Sequence, residues 1–194
     1  MFYTAIKNVY PDMIIISSVS IDTFPSPPPT GVVQDLHLYQ SAADTAGLFN
    51  AYDNFPRDYP ILVGEYAAIY DDRSGSVQID NPTLQSATSE AVMFLGLERN
   101  SDLVVGSSHG ALIKSLHDEP DNVALMKHSP NRIVFSISYY VAKLFASNHG
   151  SQTVPVTADS PFGPLYWSAT KDSTGTYFVK IVNYNGAAST PVTV

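Results

Sequence analysis

The sequence contains no cysteine, which excludes disulfides, thiolate metal sites and cysteine nucleophiles and leaves the redox compartment unmarked. Basic residues are scarce: 10 Lys and Arg stand against 18 Asp and Glu, for a net charge of −8. That balance argues against a sequence-independent nucleic-acid binder or an anionic-membrane binder, because both need a basic face to displace counterions or meet lipid headgroups. It says little about a neutral partner such as a sugar. No apolar run approaches the ~20 residues of a membrane span, and Met1 to Tyr10 lacks the basic stretch and apolar core of a secretory signal. The 5 histidines are scattered, with His109, His117 and His128 too widely spaced for a helix-borne metal site. What is present is globular: 194 residues, 44% hydrophobic and only 14% charged, enough for one domain or a domain and part of another.

The stretch Ile61-Leu62-Val63-Gly64-Glu65-Tyr66-Ala67-Ala68 drives an apolar, β-branched run into a glycine and a carboxylate. In a parallel barrel the chemistry sits at the carboxyl ends of the strands, so Glu65 is a candidate catalytic acid there. The same local pattern also suits a solvated glutamate just past a strand.

Phe2 to Val9 reads as the end of a helix stopped by Pro11-Asp12, and Met13 to Ser18 as a strand buried on both faces. Phe24 to Gly31 is too rich in proline for a helix and is expected to be an irregular crossover. A proline-rich recognition ligand is the alternative. Val32 to Tyr39 is a second strand, and alternation puts His37 and Tyr39 on one side of it. Ala42 to Asn54 carries Ala46, Phe49 and Tyr52 at helical spacing. After the Glu65 strand and a polar loop over Asp71 to Ser76, Pro82-Thr83 opens a helix to about Asn100, with Leu84, Ala87, Ala91, Phe94 and Leu95 as its apolar stripe. Leu103 to Ser108 is a fourth strand. Ile133 to Asn148 is a helix with Val141, Leu144 and Phe145 on one face and Gly150 placed to end it.

From Ser151 the pattern changes to strands and turns, with Leu165 to Thr170 and Tyr177 to Tyr184 forming a hairpin across Asp172 to Gly175. The expected fold is therefore α/β, with residues 1–150 as about half of a (β/α)8 TIM barrel and 151–194 as an incomplete antiparallel β-domain. A small doubly wound open sheet is the competing architecture.

Glycoside hydrolysis normally takes two carboxylates, one protonating the leaving oxygen and one stabilising or attacking the anomeric carbon. Glu65 suits the second role, with Tyr39, Tyr66 and Tyr70 available to stack on sugar or hydrogen-bond the carboxylate, although ordinary core and rim packing suits Tyr66 and Tyr70 better. Val33 to Gln40, Asn54 to Arg57, Val63 to Ala67, Gly96 to Asp102, Ser138 to Val141 and Phe162 to Trp167 together resemble fungal α-L-arabinofuranosidases of glycoside hydrolase family 51, in collinear order over nearly the whole chain.

The resemblance implies a retaining hydrolase in which residues 1–150 are the carboxyl-terminal half of the (β/α)8 TIM barrel, strands five to eight, and 151–194 the start of an antiparallel β-sandwich. It implies action without metal or organic cofactor on arabinose-containing polysaccharide or oligosaccharide, and secretion in the complete form. It maps Glu65 to the nucleophile at strand seven and Tyr39 to the tyrosine that hydrogen-bonds it. His37 lies beside Tyr39 in the same motif, and Tyr66 and His109 are further candidates for contact with substrate. It places the acid/base glutamate upstream of residue 1. Glu90 and Glu98 fall in a helix and Asp118 and Glu119 in a loop, so none is a convincing substitute. The segment His109 to Ile113, followed by Leu116 to Pro120, departs from the family pattern, in which a tyrosine stands before an Ala-Pro-Leu-Leu-like run. A non-catalytic sugar-binding or interaction module is the alternative function.

Overall fold

The computed structural model describes residues 2–18, 29, 31–71, 77–117 and 123–193. In chain order these form α1 (Phe2–Val9), β1 (Ile15–Ser17), β2 (Val32–Ser41), α2 (Ala42–Gly47), a 3-10 turn (Leu48–Asn50), β3 (Ile61–Tyr70), α3 (Leu84–Arg99) and β4 (Val104–His109). There follow β5 (Ile113–Ser115), β6 (Met126–Ser129), β7 (Arg132–Phe135), α4 (Ile137–Ser147), β8 (Gln152–Val154), β9 (Leu165–Lys171) and β10 (Tyr177–Asn183). Strands β1 to β4 make one sheet in sequence order, every pair parallel. Parallel neighbours need a long crossover, and α3 lies in the connection from β3 to β4.

Helix α3 is the centre of the molecule. Thr83 caps it through a reciprocal bond with Ser86, which satisfies amides the first turn leaves unpaired. Eleven of its sixteen residues are buried, because the parallel sheet, α2 and α4 cover one part of it and β9 and β10 another. The expected single stripe is therefore too narrow, and its first member, Leu84, is 72% exposed. Ile61, Met93 and Leu95 are fully buried in the cluster between sheet and helices, where each stabilises the fold by ~1.5–3 kcal/mol relative to exposure.

Several expectations need correction. Strand β1 is shorter than expected and not buried on both faces: Ile16 is 52% exposed, because β1 is an edge with β2 as its only strand neighbour among the described residues. The helix after β2 stops at Gly47 and tightens into the 3-10 turn, although Ala46, Phe49 and Tyr52 are all buried as their spacing implied. Ile133 to Phe135 is strand rather than helix. The helix begins after Ser136, whose side chain accepts from Tyr139 N, and its Leu144 is 56% exposed. Residues between β4 and α4 form a small sheet that periodicity did not show, β5 parallel to β6 and β6 antiparallel to β7. Most of the proline-rich crossover and most of the Asp71 to Ser76 loop lie outside the described residues.

The terminal hairpin is as expected, β9 and β10 pairing from Leu165↔Asn183 to Lys171↔Tyr177. Asp172 accepts from the amides of Thr174 and Thr176 in the turn, with Gly175 at φ +93°. β8 joins the other edge of β9. Gly150 does not terminate α4, which is capped by Asn148. Its function is close approach: a Cβ there would lie 2.3 Å from the backbone of Lys171.

Candidate active site

The site is assembled by the pleat of β2 and an irregularity in β3. On β2, Leu36 and Leu38 pack against the core, so Asp35, His37 and Tyr39 share the opposite face. On β3, Ile61 and Val63 are buried and then, after Gly64 and Glu65, Tyr66 and Ala68 are buried. The phase of alternation inverts. Register agrees: Asp35 pairs with Leu62 but His37 with Glu65, and Val63 pairs with Ser107 but Tyr66 with His109. On both sides β3 carries one residue more than its neighbour, a β-bulge that re-aims a side chain. It turns Glu65 to the face of His37 and Tyr39, and lets the strand continue to Tyr70 instead of ending at the acid.

Tyr39 Oη donates to Glu65 Oε2 at 2.5 Å, and His37 Nδ1 stands 3.4 Å from the same oxygen. His37 Nε2 in turn meets Asp35 Oδ2 at 3.1 Å, which also accepts from Ser18 Oγ at 2.5 Å. Asp35 escaped sequence reasoning, although its position two residues before His37 in a strand was a usable signal. Two glycines make room for the network. A Cβ on Gly64 would fall 1.9 Å from Asp35 Oδ1, and one on Gly110 would fall 2.1 Å from Tyr39 Oη.

The Glu65 side chain is 45% exposed and opens on a cleft of about 840 Å³, whose walls include Tyr39, Tyr70, Gln78, Leu112 and Lys114. Partial burial, followed by the Glu65 hydrogen bond and charge, pushes the Tyr39 phenol up to about 12. The folded chain thus keeps a proton that the unfolded chain loses near pH 10. The resulting stability is fully present below that pH and is lost as pH rises toward 12. Tyr39→Phe is therefore expected to unfold in urea with a shallower loss of stability over pH 10–12 than the unsubstituted chain. An identical slope in the two proteins would show that the fold does not raise the pKa of the phenol.

Tyr66 and His109, expected to touch substrate, are both almost wholly buried, Tyr66 outside the cleft lining and His109 at its border. Tyr66 is 3% exposed, its ring edge-on to Phe94 and His109. Burial, then Glu90, drives its phenol far above the ordinary range. His109 is 3% exposed, with Nδ1 against Ala111 O at 3.1 Å and Nε2 3.6 Å from Glu90. His109 borders the cleft, but as a backbone support. Glu90 itself is buried and accepts from Ala68 N, on the core side of the sheet and away from Glu65. Glu98 faces the terminal hairpin through Ser168 and Lys180. Asp118 and Glu119 lie outside the described residues. Among the described residues no three His, Asp or Glu side chains are grouped to hold a metal, and no helix is long and apolar enough to cross a membrane.

The chain joins a tyrosine-bound carboxylate on a parallel sheet to an antiparallel β-unit, and comparison with known proteins sets it among the glycosidases. Residues 64–189 match the family model of the α-L-arabinofuranosidase C-terminal domain. Over its whole length the chain is 38% identical to α-L-arabinofuranosidase A of Aspergillus kawachii, and likewise 38% identical to that of Aspergillus niger. An arabinose-bound α-L-arabinofuranosidase, MgGH51, superposes with a TM-score of 0.86 at 32% identity, covering 97% of this chain and 31% of that one. The thermostable GH51 α-L-arabinofuranosidase of Thermotoga petrophila shares the fold, with a TM-score of 0.69 at 14% identity over 95% of this chain and 46% of its own. The chain belongs to the α-L-arabinofuranosidases of glycoside hydrolase family 51. It spans 30% of the length of the Aspergillus relatives.

Proposed function

We propose that this chain carries the nucleophile half of a retaining α-L-arabinofuranosidase that releases terminal non-reducing arabinofuranosyl units from hemicellulose or pectin outside the cell. The observation that supports this is the convergence of Tyr39 and His37 on one oxygen of a half-exposed glutamate. With Oε2 engaged by the tyrosine, Oε1 is the oxygen left to attack the anomeric carbon. The bond to the leaving oxygen breaks as the carboxylate–sugar ester forms, and water later hydrolyses that ester.

The leaving oxygen needs a proton. Asp35 is the nearest other acid in the network, but it is committed to His37 and Ser18 with its side chain 9% exposed. The reading therefore assigns the acid/base to a glutamate outside this chain, ~5–5.5 Å from Glu65 in the complete site. It takes residues 1–150 as strands five to eight of the barrel and 151–194 as the opening of the β-sandwich.

The test is covalent trapping. Incubating the complete protein with an activated 2-deoxy-2-fluoro arabinofuranoside, which forms the ester faster than it is cleaved, should place the sugar on the peptide bearing Glu65. Mass spectrometry after digestion reads the site. The isolated 194-residue chain should turn over an aryl arabinofuranoside more slowly than the complete protein by about 10²–10⁴-fold, the usual contribution of general acid catalysis. Labelling of a different carboxylate, with turnover intact, would sink the assignment.

A further inference from the structure

Asp35 forms and breaks no bond in the proposed reaction, yet the fold keeps it in a destabilising position. Its side chain is 9% exposed, Oδ1 is buried without a hydrogen-bond partner, and Oδ2 takes both His37 Nε2 and the Ser18 hydroxyl. A buried carboxylate oxygen left unpaired is unfavourable and rare, and a site that keeps one requires a reason. The backbone is arranged around it. Ser17 pairs with Gln34, which sets Ser18 beside Asp35, and Gly64 leaves open the space that a Cβ would take from Oδ1.

The geometry points to Asp35 as a positioning residue that acts through His37 on the second chemical step, a role that rests on the arabinofuranosidase reading with Glu65 as nucleophile. The two ring nitrogens of His37 face two carboxylates: Nε2 stands 3.1 Å from Asp35 Oδ2 and Nδ1 3.4 Å from Glu65 Oε2. A neutral imidazole has one N–H to give, so one of these carboxylates would meet a lone pair. The imidazolium suits both, and the Asp35 charge favours it. Among the described residues the ring is faced by Asp35 from its own strand and by Glu65 from β3, with Tyr39 bound to the same Glu65 oxygen. The β1 side brings the Ser18 hydroxyl, through Asp35.

A charge on that ring acts on the two steps in opposite directions. It stabilises the free Glu65 carboxylate most, the partly charged transition states less and the neutral ester least, so attack on the anomeric carbon gains nothing from it. Breakdown of the ester does gain. The water oxygen bonds to the anomeric carbon, and the bond from that carbon to Oε1 breaks with its electron pair returning to Glu65. The water proton passes to the acid/base outside this chain. The returning charge spreads onto Oε2, beside His37 Nδ1. His37 is 43% exposed, so water screens part of the effect. The expected size is about tenfold, below the ~10²–10³-fold of a fully enclosed donor.

The test is the kinetics of the complete protein carrying Asp35→Asn on 4-nitrophenyl arabinofuranoside, whose good leaving group makes ester breakdown the slow step. kcat should fall about tenfold and KM with it, leaving kcat/KM within about twofold, and a burst of nitrophenolate should precede the steady state. Equal falls in kcat and kcat/KM would show a merely structural loss and overturn the proposal, as would an unchanged kcat. In the 194-residue chain, 15N NMR follows the His37 ring, assigned by its absence from His37→Gln. The pH at which the ring loses its second proton should be lower in Asp35→Asn than in the parent. The same pH in both proteins overturns the proposal. Asp35→Ser removes the charge without added bulk and repeats both measurements where the amide is not tolerated. Covalent trapping reads Glu65 itself: labelling there without a split between kcat and kcat/KM refutes the role of Asp35 alone, whereas labelling elsewhere refutes the reading beneath it.

Discussion

Glu65→Gln in the complete enzyme lowers kcat on an aryl arabinofuranoside by on the order of 10⁴-fold or more, with the circular dichroism spectrum unchanged. The substitution preserves shape, and the amide oxygen still accepts from Tyr39, so the local network survives. What is lost is the charge that attacks the anomeric carbon, and an amide is not a substitute nucleophile. In Glu65→Ala the emptied space admits a small anion, and azide should restore turnover while forming an arabinosyl azide of inverted configuration. Retention of about a tenth of the parent rate by Glu65→Gln would assign the nucleophile elsewhere, because losses on removing such groups are orders of magnitude larger.

Lys180→Met destabilises the chain by about 3–5 kcal/mol, the usual consequence of leaving one member of a buried ion pair without its partner. Lys180 of β10 reaches Glu98 of α3, whose other carboxylate oxygen accepts from Ser168 Oγ of β9 at 2.9 Å. The lysine side chain is 7% exposed and its ammonium lies 4.9 Å from the Phe145 ring centroid. In a chain of this size the loss corresponds to a fall in Tm of about 6–20 °C. The double replacement Glu98→Leu with Lys180→Met should recover part of it, since the stranded carboxylate is then gone. Thermal unfolding of the four proteins checks both statements. A single-variant loss below ~1 kcal/mol would mean that the pair behaves as a surface contact.

The elements legible in the sequence were those with a local signature. Helix α3 was marked by Thr83 and a long apolar pattern, the terminal hairpin by its turn residues, and β2 and β3 by runs of branched and aromatic side chains. Strands β5 to β7 were not legible because each has only three or four residues, too few for a period of two to show. The exposure of β1 was hidden for another reason: an apolar run reports what a strand could bury, not whether a second layer covers it.

At the site, Glu65, Tyr39 and His37 were legible as a group because alternation holds along β2, and the resemblance supplied the pairing between strands. Tyr66, offered both as a sugar contact and as core packing, is core. Unbroken alternation from Ile61 and Val63 puts Glu65 inside and Tyr66 outside, and the bulge reverses both. His109 pairs with Tyr66 across β3 and β4 and is buried with it.

The extra residue in β3 also sets what the gene can lose or gain here. Loss of one codon between those for Leu62 and Glu65 would keep the reading frame and remove the bulge, and the unbroken pleat from Ile61 would still turn the carboxylate toward His37 and Tyr39 and the Tyr66 ring toward the core. Gain of one codon at the same place is the harmful change: unless the strand bulges a second time, it turns the carboxylate toward α3 and leaves no nucleophile within reach of a sugar.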